Sequence, residues 1–289
     1  MPRLSMLPTL VREVFGTRDF PREPEPALVM EDKEQVAAYA EAGRIDGVMS
    51  AAYLFQTSRI IPTIYGKKKI LDLGCGPATQ LAQLAEFLPD TSFTGIDLSE
   101  EMISDAKQYV SKKNLQNVDF ILGDITKLQM LDAQSFDGVI STMALHHLPS
   151  YDDLHRCFEE IKRVLKPGGV LYLTDFGRLK SLQSVLFFAY QNKAYQPHSF
   201  SLDYERSLRA AFLPSEFNKL LGVFSGNVKA YSTFGIPILV ILKTPDIEIP
   251  KALISQLREE KRKLPTKYQR ELNDIRLFFG LSGLKNDLF

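Results

Sequence analysis

Three small groups of residues in the 289-residue chain are of types that do chemistry. The first is Gly74-Cys75-Gly76, which follows the apolar run Ile70–Leu73. Its glycines let the backbone bend sharply and let a ligand come close. The helix beginning near Thr79 then turns N–H groups and a positive dipole end toward that ligand. A dinucleotide fingerprint would carry a third glycine, and Thr79 stands in its place. The second is Asp97, 23 residues after Gly74, close to the offset of about 20 at which Rossmann-like folds place a ribose-binding acid. A carboxylate there can accept from both hydroxyls of a ribose diol. The alternative, a surface Asp capping the next helix, is a job that Ser99 already fills. The third is His146-His147. Imidazole, with a reference pKa of about 6.5, takes protons near neutral pH. The alternative reading packs one ring against the Leu148-Pro149 turn while the other lines a pocket.

A frame must bring these groups to one edge, and the sequence supplies strand and helix patterns in alternation. Strands are predicted at Ile70–Leu73, Ser92–Ile96, Val118–Leu122, Phe136–Ser141 and Val170–Asp175. Helices are predicted at about Thr79–Leu88, after the N-cap Ser99 and after the N-cap Ser150, the last stopped by Lys166-Pro167-Gly168-Gly169. This order argues for a parallel sheet with crossover helices. The segments Val228–Phe234 and Ile236–Lys243, separated by Gly235, read as a closing antiparallel pair. The expected fold class is therefore α/β: a Rossmann-like, doubly wound seven-stranded sheet, mostly parallel, with an antiparallel terminal strand and helical extensions at both ends. Ligands of such sheets bind at the carboxyl ends of the strands, where the strand order switches.

Residues 1–31 hold five prolines and read as an extended arm with one helical turn near Leu10–Phe15. A helix from Asp32 with Tyr39 on its apolar face, ended by Gly43, and a second at about Val48–Ile60, broken by Pro62, follow. The expected division is 1–65 for the arm and lid helices, 66–244 for the main domain with an aromatic-rich insert at 177–225, and 245–289 for a two-helix extension. In that extension Tyr268, Leu272, Ile275, Phe278 and Phe279 form one apolar face.

The pattern hydrophobic–hydrophobic–Asp–x–Gly–x–Gly ending at Gly76 is followed in order by Thr94–Ser99, Gly123-Asp124-Ile125, Phe136–Ser141, Leu145-His146-His147-Leu148-Pro149 and Leu165–Gly169. Together these resemble the class I S-adenosylmethionine-dependent methyltransferases, of the small-molecule type found in ubiquinone and menaquinone biosynthesis. The resemblance is close over Lys69–Phe176 and loose to residue 244. It implies S-adenosylmethionine as methyl donor. It implies Asp97 on the ribose, Asp124 on the adenine amino group, and Leu98, Met102 and Ile125 near the base. Asp124 alone also reads as a turn residue. Asp72 would orient the glycine turn or meet the methionine amino group through water, with Gly74, the Cys75 backbone and Gly76 beside it. Thr142 and Met143 would stand next to the donor, and His146 and His147 near the transferred methyl as base or acceptor-positioning groups. Tyr190, Tyr195 and Tyr204, with Tyr39 and Arg44 from the N-terminal helices, are the acceptor-pocket candidates, although most aromatics of 177–225 read equally as core. Arg206 and Arg209 read as partners of an anionic acceptor or as a solvated face. No metal is expected.

The composition is ordinary for a soluble globular protein: 45% hydrophobic, 24% charged, with 35 basic and 35 acidic side chains. Zero net charge argues against a nucleic-acid partner, which usually selects a basic surface. Two cysteines, Cys75 and Cys157, allow neither a disulfide framework nor zinc spacing and suit a reducing compartment. Met1–Ser5 lacks an apolar h-region, and the runs near 185–190 and 236–242 are too short to span a bilayer. A cytoplasmic enzyme methylating a small aromatic or apolar molecule is expected, with a homodimer through the extensions as one use for them. The competing readings are an RNA or protein methyltransferase and a non-catalytic binding protein.

Overall fold

The computed structural model describes residues 4–26, 47–224 and 227–289. Its centre is a seven-stranded sheet in the order β3-β2-β1-β4-β5-β7-β6. The strands are β1 (Lys69–Leu73), β2 (Ser92–Asp97), β3 (Val118–Leu122), β4 (Phe136–Thr142), β5 (Leu165–Phe176), β6 (Lys229–Ser232) and β7 (Leu239–Lys243). Strands β1 to β5 pair in parallel. β7 runs antiparallel to β5 on one side and to β6 on the other. The order switches between β1 and β4, which separates Asp97 and Asp124, beyond β2 and β3, from the ends of β5 and β7.

The helices follow the apolar periodicities. They are α1 (Leu7–Phe15), α2 (Ser50–Ile64), α3 (Thr79–Phe87), α4 (Glu100–Lys112), α5 (Tyr151–Val164), α6 (Leu182–Tyr190), α7 (His198–Ala210), α8 (Pro214–Leu220), α9 (Lys251–Lys263) and α10 (Thr266–Leu281). Ser99 and Ser150 cap α4 and α5 as expected, accepting from Met102 N and Asp153 N. The core lies on both sheet faces. One cluster joins α2, α3, α4 and the C-terminal pair α9–α10, and the other joins α5, α8 and the opposite face.

Several local expectations are corrected. α1 is a full nine-residue helix, because Pro8 sits in its first turn, where a missing N–H leaves nothing unpaired. Pro62 does not end α2. It falls in the last turn, where the lost N–H removes a single helical bond, and its carbonyl accepts from Ile247 N at 2.9 Å. Lys166–Gly169 does not precede the fifth strand. It lies within it, because Leu165 already pairs with Phe136 before the register shifts. The β6–β7 connection is wider than Gly235 alone and is closed by Thr233 Oγ1 donating to Ile236 O at 2.6 Å. The helix expected from Asp32 to Gly43, with Tyr39 and Arg44, lies outside the described residues.

The extensions are built into the fold. Phe279 of α10 stacks on Phe55 of α2 at 5.3 Å and 13°. The buried Arg59 donates to Lys285 O and Asn286 O at 2.9 Å each, so the segment after α10 is tied back to α2.

Candidate active site

A cavity of about 520 Å³ opens at the switch point, within the usual range of roughly 300–1,000 Å³ for small-ligand sites. At its β1–β2–β3 end the glycine turn is held against β2. Gly74 N and Cys75 N donate to Ile96 O at 2.8 and 3.0 Å, and Gly76 N donates to Asp97 Oδ2 at 2.8 Å. With these N–H groups taken, the turn is no phosphate cradle. Gly74 has φ +69°, and a Cβ there would lie 2.3 Å from that of Ala144. Gly76 has φ +52° and open space above it.

Asp97 also accepts from Ser99 N at 3.0 Å through Oδ1. Each of its oxygens therefore keeps one lone pair for a ribose hydroxyl. Burial raises its pKa despite these backbone bonds. Leu98, Met102 and Ile125 line the cavity beside it, as do Gly74, Gly76, Thr142 and Met143. Met143 does so at φ +56°, a strained conformation for a side chain with a β-carbon. Asp124 lines the cavity and is a turn residue as well: Oδ1 accepts from Thr126 N and Oγ1, and Oδ2 pairs with Lys127. Asp72 and Cys75 do not line it. Both are buried behind the wall, because the turn that brings Gly74 forward folds them under β2. Asp72 Oδ1 has no hydrogen-bond partner. Burial, with the Asp97 charge added, pushes the Asp72 pKa up to about 7. The residues that do line this end, Asp97 with its acceptor oxygens and the apolar Leu98, Met102 and Ile125, fit the ribose and base of a nucleoside such as that of S-adenosylmethionine.

His146 and His147 sit on a 3-10 turn, Leu145–His147, directly after β4, and both line the cavity. His146 is buried, and Asp175 Oδ1 lies 2.7 Å from its Nδ1. The carboxylate accepts, so the proton sits on Nδ1 and Nε2 carries a lone pair. His147 Nδ1 bonds Glu25 Oε2 at 2.9 Å, and Ser207 donates to Glu25 Oε1 at 2.8 Å. Burial alone would raise the Glu25 pKa, but the His147 bond and the His147 charge outweigh it and hold it down to about 2. Burial would likewise lower His147, but Glu25 raises it, with Asp175 and Asp203 adding. The two shifts agree on an imidazolium–carboxylate pair. Glu25, His146 and His147 each place a ligand-type atom within 4.8 Å of the others. The His146 and His147 rings lie 4.2 Å apart at 37°, and Glu25 bonds His147 while Asp175 bonds His146.

Glu25 reaches the site on an arm latched by Arg22. The Arg22 guanidinium donates to the carbonyls of Ala210, Pro149 and Leu148 at 2.6 Å and of His146 at 3.0 Å, and lies 3.8 Å over the Phe212 ring. Burial lowers its pKa to about 10, which leaves it charged at neutral pH.

The β5–β7 end of the cavity is aromatic: Phe176, Phe188, Phe200, Tyr204 and Phe278 line it, with Asp203. Tyr204 is the one acceptor candidate placed there, packed on Phe176 at 5.4 Å. Tyr190 is turned away because its hydroxyl donates to Glu205 at 2.8 Å, and Tyr195 is 70% exposed beneath Lys267. Arg209 is held by Glu23 and Glu205 and does not line the cavity. The sequence reading missed Glu25, Asp175 and Phe278. Asp175 had a usable signal, since it ends the fifth strand as Asp97 ends the second. Glu25, in a proline-rich arm, had none.

A doubly wound sheet with a strand-end acid on a glycine turn and a cavity at its switch point is the arrangement expected of a class I S-adenosylmethionine-dependent methyltransferase fold. Residues 65–205, just under half of the chain, match the family described as a methyltransferase domain. Among curated relatives, the chain is 36% identical over 107 residues to the arsenite methyltransferase of Halobacterium salinarum, covering 37% of this chain and 26% of that protein. It is 39% identical over 127 residues to the putative methyltransferase YqeM of Bacillus subtilis, covering 44% and 50%. It is 29% identical over 182 residues to the demethylmenaquinone methyltransferase of Geobacillus stearothermophilus, covering 58% and 76%. The chain thus spans about a quarter and a half of the first two relatives. In fold it is similar to the plantazolicin methyltransferase BpumL, solved with a triazolic substrate analog and S-adenosylhomocysteine, at TM-score 0.57, 21% identity and 82% and 87% coverage.

Proposed function

We propose that the chain transfers the methyl group of S-adenosylmethionine to a small apolar or aromatic acceptor, with His146 taking the acceptor's proton where one must leave. The observation that carries this reading is the Asp175–His146 pair at the switch point, between an acid-edged nucleoside end and an aromatic end of one cavity. Bound S-adenosylmethionine supplies an electrophilic sulfonium methyl. Asp97 holds the ribose, and Asp72 acts only as a buried charge behind the glycine turn. Phe176, Phe188 and Phe278 exclude water and orient the acceptor, and holding two reactants in line is worth many orders of magnitude in rate. Asp175 keeps the proton on His146 Nδ1, so Nε2 is ready to accept one.

The relative from Geobacillus is named for a demethylmenaquinone acceptor, and an acceptor of that apolar, aromatic character suits the chamber. Arsenite chemistry is not supported, because neither Cys75 nor Cys157 lines the cavity. Among the described residues no helix is long and apolar enough to cross a membrane, and we place the enzyme in the cytoplasm. Titration calorimetry with S-adenosylmethionine and S-adenosylhomocysteine tests the donor half, and heats of binding with micromolar affinity are expected. Failure of either to bind at high micromolar concentration overturns the reading.

A further inference from the structure

Among the described residues, seven of the thirteen exposed large apolar side chains lie on three elements. Leu7, Val11, Val14 and Phe15 of α1 are 45–82% exposed, and Phe234, Leu277 and Leu281 are 41–57% exposed. These three elements touch. A Cβ on Gly235 would meet Leu10 and Val14 of α1, and Phe234 N donates to Phe278 O of α10 at 3.1 Å. Monomeric proteins rarely expose so continuous an apolar surface without using it.

The same elements wall the aromatic end of the cavity from the other side. Met6 precedes α1, Thr233 and Ile236 lie in the β6–β7 loop, and Ile275 and Phe278 lie on α10. All five face inward, while their sequence neighbours Leu7, Phe234 and Leu277 face outward. The patch and the acceptor chamber are thus two sides of one wall.

The charges next to the patch select the occupant. Residues 4–19 carry Arg12 and Arg18 and the acids Glu13 and Asp19, of which Asp19 alone is exposed. The Glu13 carboxylate is buried, accepting from Lys180 N at 2.9 and 3.0 Å, and Lys180 Nζ donates to Val14 O beside the patch. An apolar helix face with a phenylalanine at its tip and cations along its border is the form of an interfacial membrane anchor. We propose that this face docks on an anionic lipid surface, without spanning it, and that the apolar acceptor enters the chamber from that surface. The entry step rests on the apolar-acceptor reading above; the docking does not.

Vesicle flotation with the full chain tests it, using phosphatidylglycerol–phosphatidylcholine and pure phosphatidylcholine vesicles. Binding to the anionic vesicles is expected, weakened by salt, since such attraction is screened within about 8 Å at physiological ionic strength. Leu7→Glu with Phe15→Glu is expected to lower the partition coefficient roughly tenfold or more, because both apolar side chains leave the lipid contact. Neither residue lines the cavity, so S-adenosylhomocysteine affinity in the variant is expected to match the parent and reports that it folds. Should the variant fail that control, Val11→Glu alone serves with the same expectation. No flotation with anionic vesicles overturns the proposal. So does sedimentation of the parent as a dimer that Phe15→Glu splits, which assigns the face to a second copy. Loss of donor binding in the parent would instead sink the methyltransferase reading and leave the flotation result standing.

Discussion

Asp175 holds His146 at two points: Oδ1 lies 2.7 Å from the ring Nδ1, and Oδ2 accepts the His146 backbone N–H at 3.0 Å. One carboxylate therefore sets both the place of the turn after β4 and the tautomer of its imidazole. Asp175→Asn keeps the shape and removes the obligate acceptor. Turnover is expected to fall by about 10²–10⁴, as when a catalytic imidazole loses its tautomer, while S-adenosylhomocysteine affinity stays unchanged. Steady-state kinetics and calorimetry on one preparation check both. Full activity in the variant would remove His146 from the proton path.

Glu25 and His147 form the second pair, and their pH window follows from the two shifts. The Glu25 pKa is depressed, so its contribution to stability is present above the ordinary carboxylate value of about 4.5 and is lost as pH falls toward about 2. The His147 pKa is raised, so its contribution is present below the ordinary value of about 6.5 and is lost as pH rises past the raised one. Glu25→Gln is expected to destabilise the protein by on the order of 2–3 kcal/mol near pH 6 and by less near pH 9. It should also return the His147 titration toward the ordinary value in a carbon-13 NMR pH series.

Asp72 lies behind the glycine turn, and burial with the Asp97 charge pushes its pKa up to about 7. On the proposed reading, the field of this buried carboxylate through the wall favours an ammonium-bearing ligand once the group is ionised. The affinity for S-adenosylhomocysteine is expected to rise severalfold between about pH 6 and pH 8, with proton release on binding. Asp72→Asn is expected to flatten that rise. Calorimetry in two buffers of different ionisation enthalpy measures the protons directly.

The two glycines of the turn separate backbone strain from packing. Gly76→Ala meets nothing and carries only the penalty for positive φ, about 1–2 kcal/mol. Gly74→Ala adds a collision with Ala144 at 2.3 Å, immediately before the histidine turn. It is expected to lose about 1–3 kcal/mol more and to weaken donor binding as well, both readable by urea denaturation and calorimetry.

The glycine-turn end of the cavity was legible because each of its parts is local. A glycine turn, an acid at a strand end and a serine cap each leave a mark within a few residues, and periodicity fixed which end of each strand they occupied. The acceptor half is assembled from α6, α7, the β6–β7 loop and α10, and no spacing rule connects Phe188 to Phe278. Tyr190 illustrates the difficulty: it has the right chemistry on the right helix, yet Glu205 turns it outward. Glu25 was hidden for another reason. Prolines marked its segment as extended, but the segment's position depends on Arg22 finding four carbonyls on distant loops. Pro62 shows the converse, a local breaker overruled by packing of α2 on its buried face.

Phe278 and Ile275 lie on α10, well past the stretch 65–205 that matches the methyltransferase family. Phe176, Phe188, Phe200 and Tyr204 of the same aromatic wall lie inside that stretch, so the last helix completes a chamber that the matched stretch leaves open on one side. A chimaera that exchanges 245–289 for another sequence, while keeping the seam of Phe279 on Phe55, keeps the glycine-turn end of the cavity and changes one face of its aromatic end.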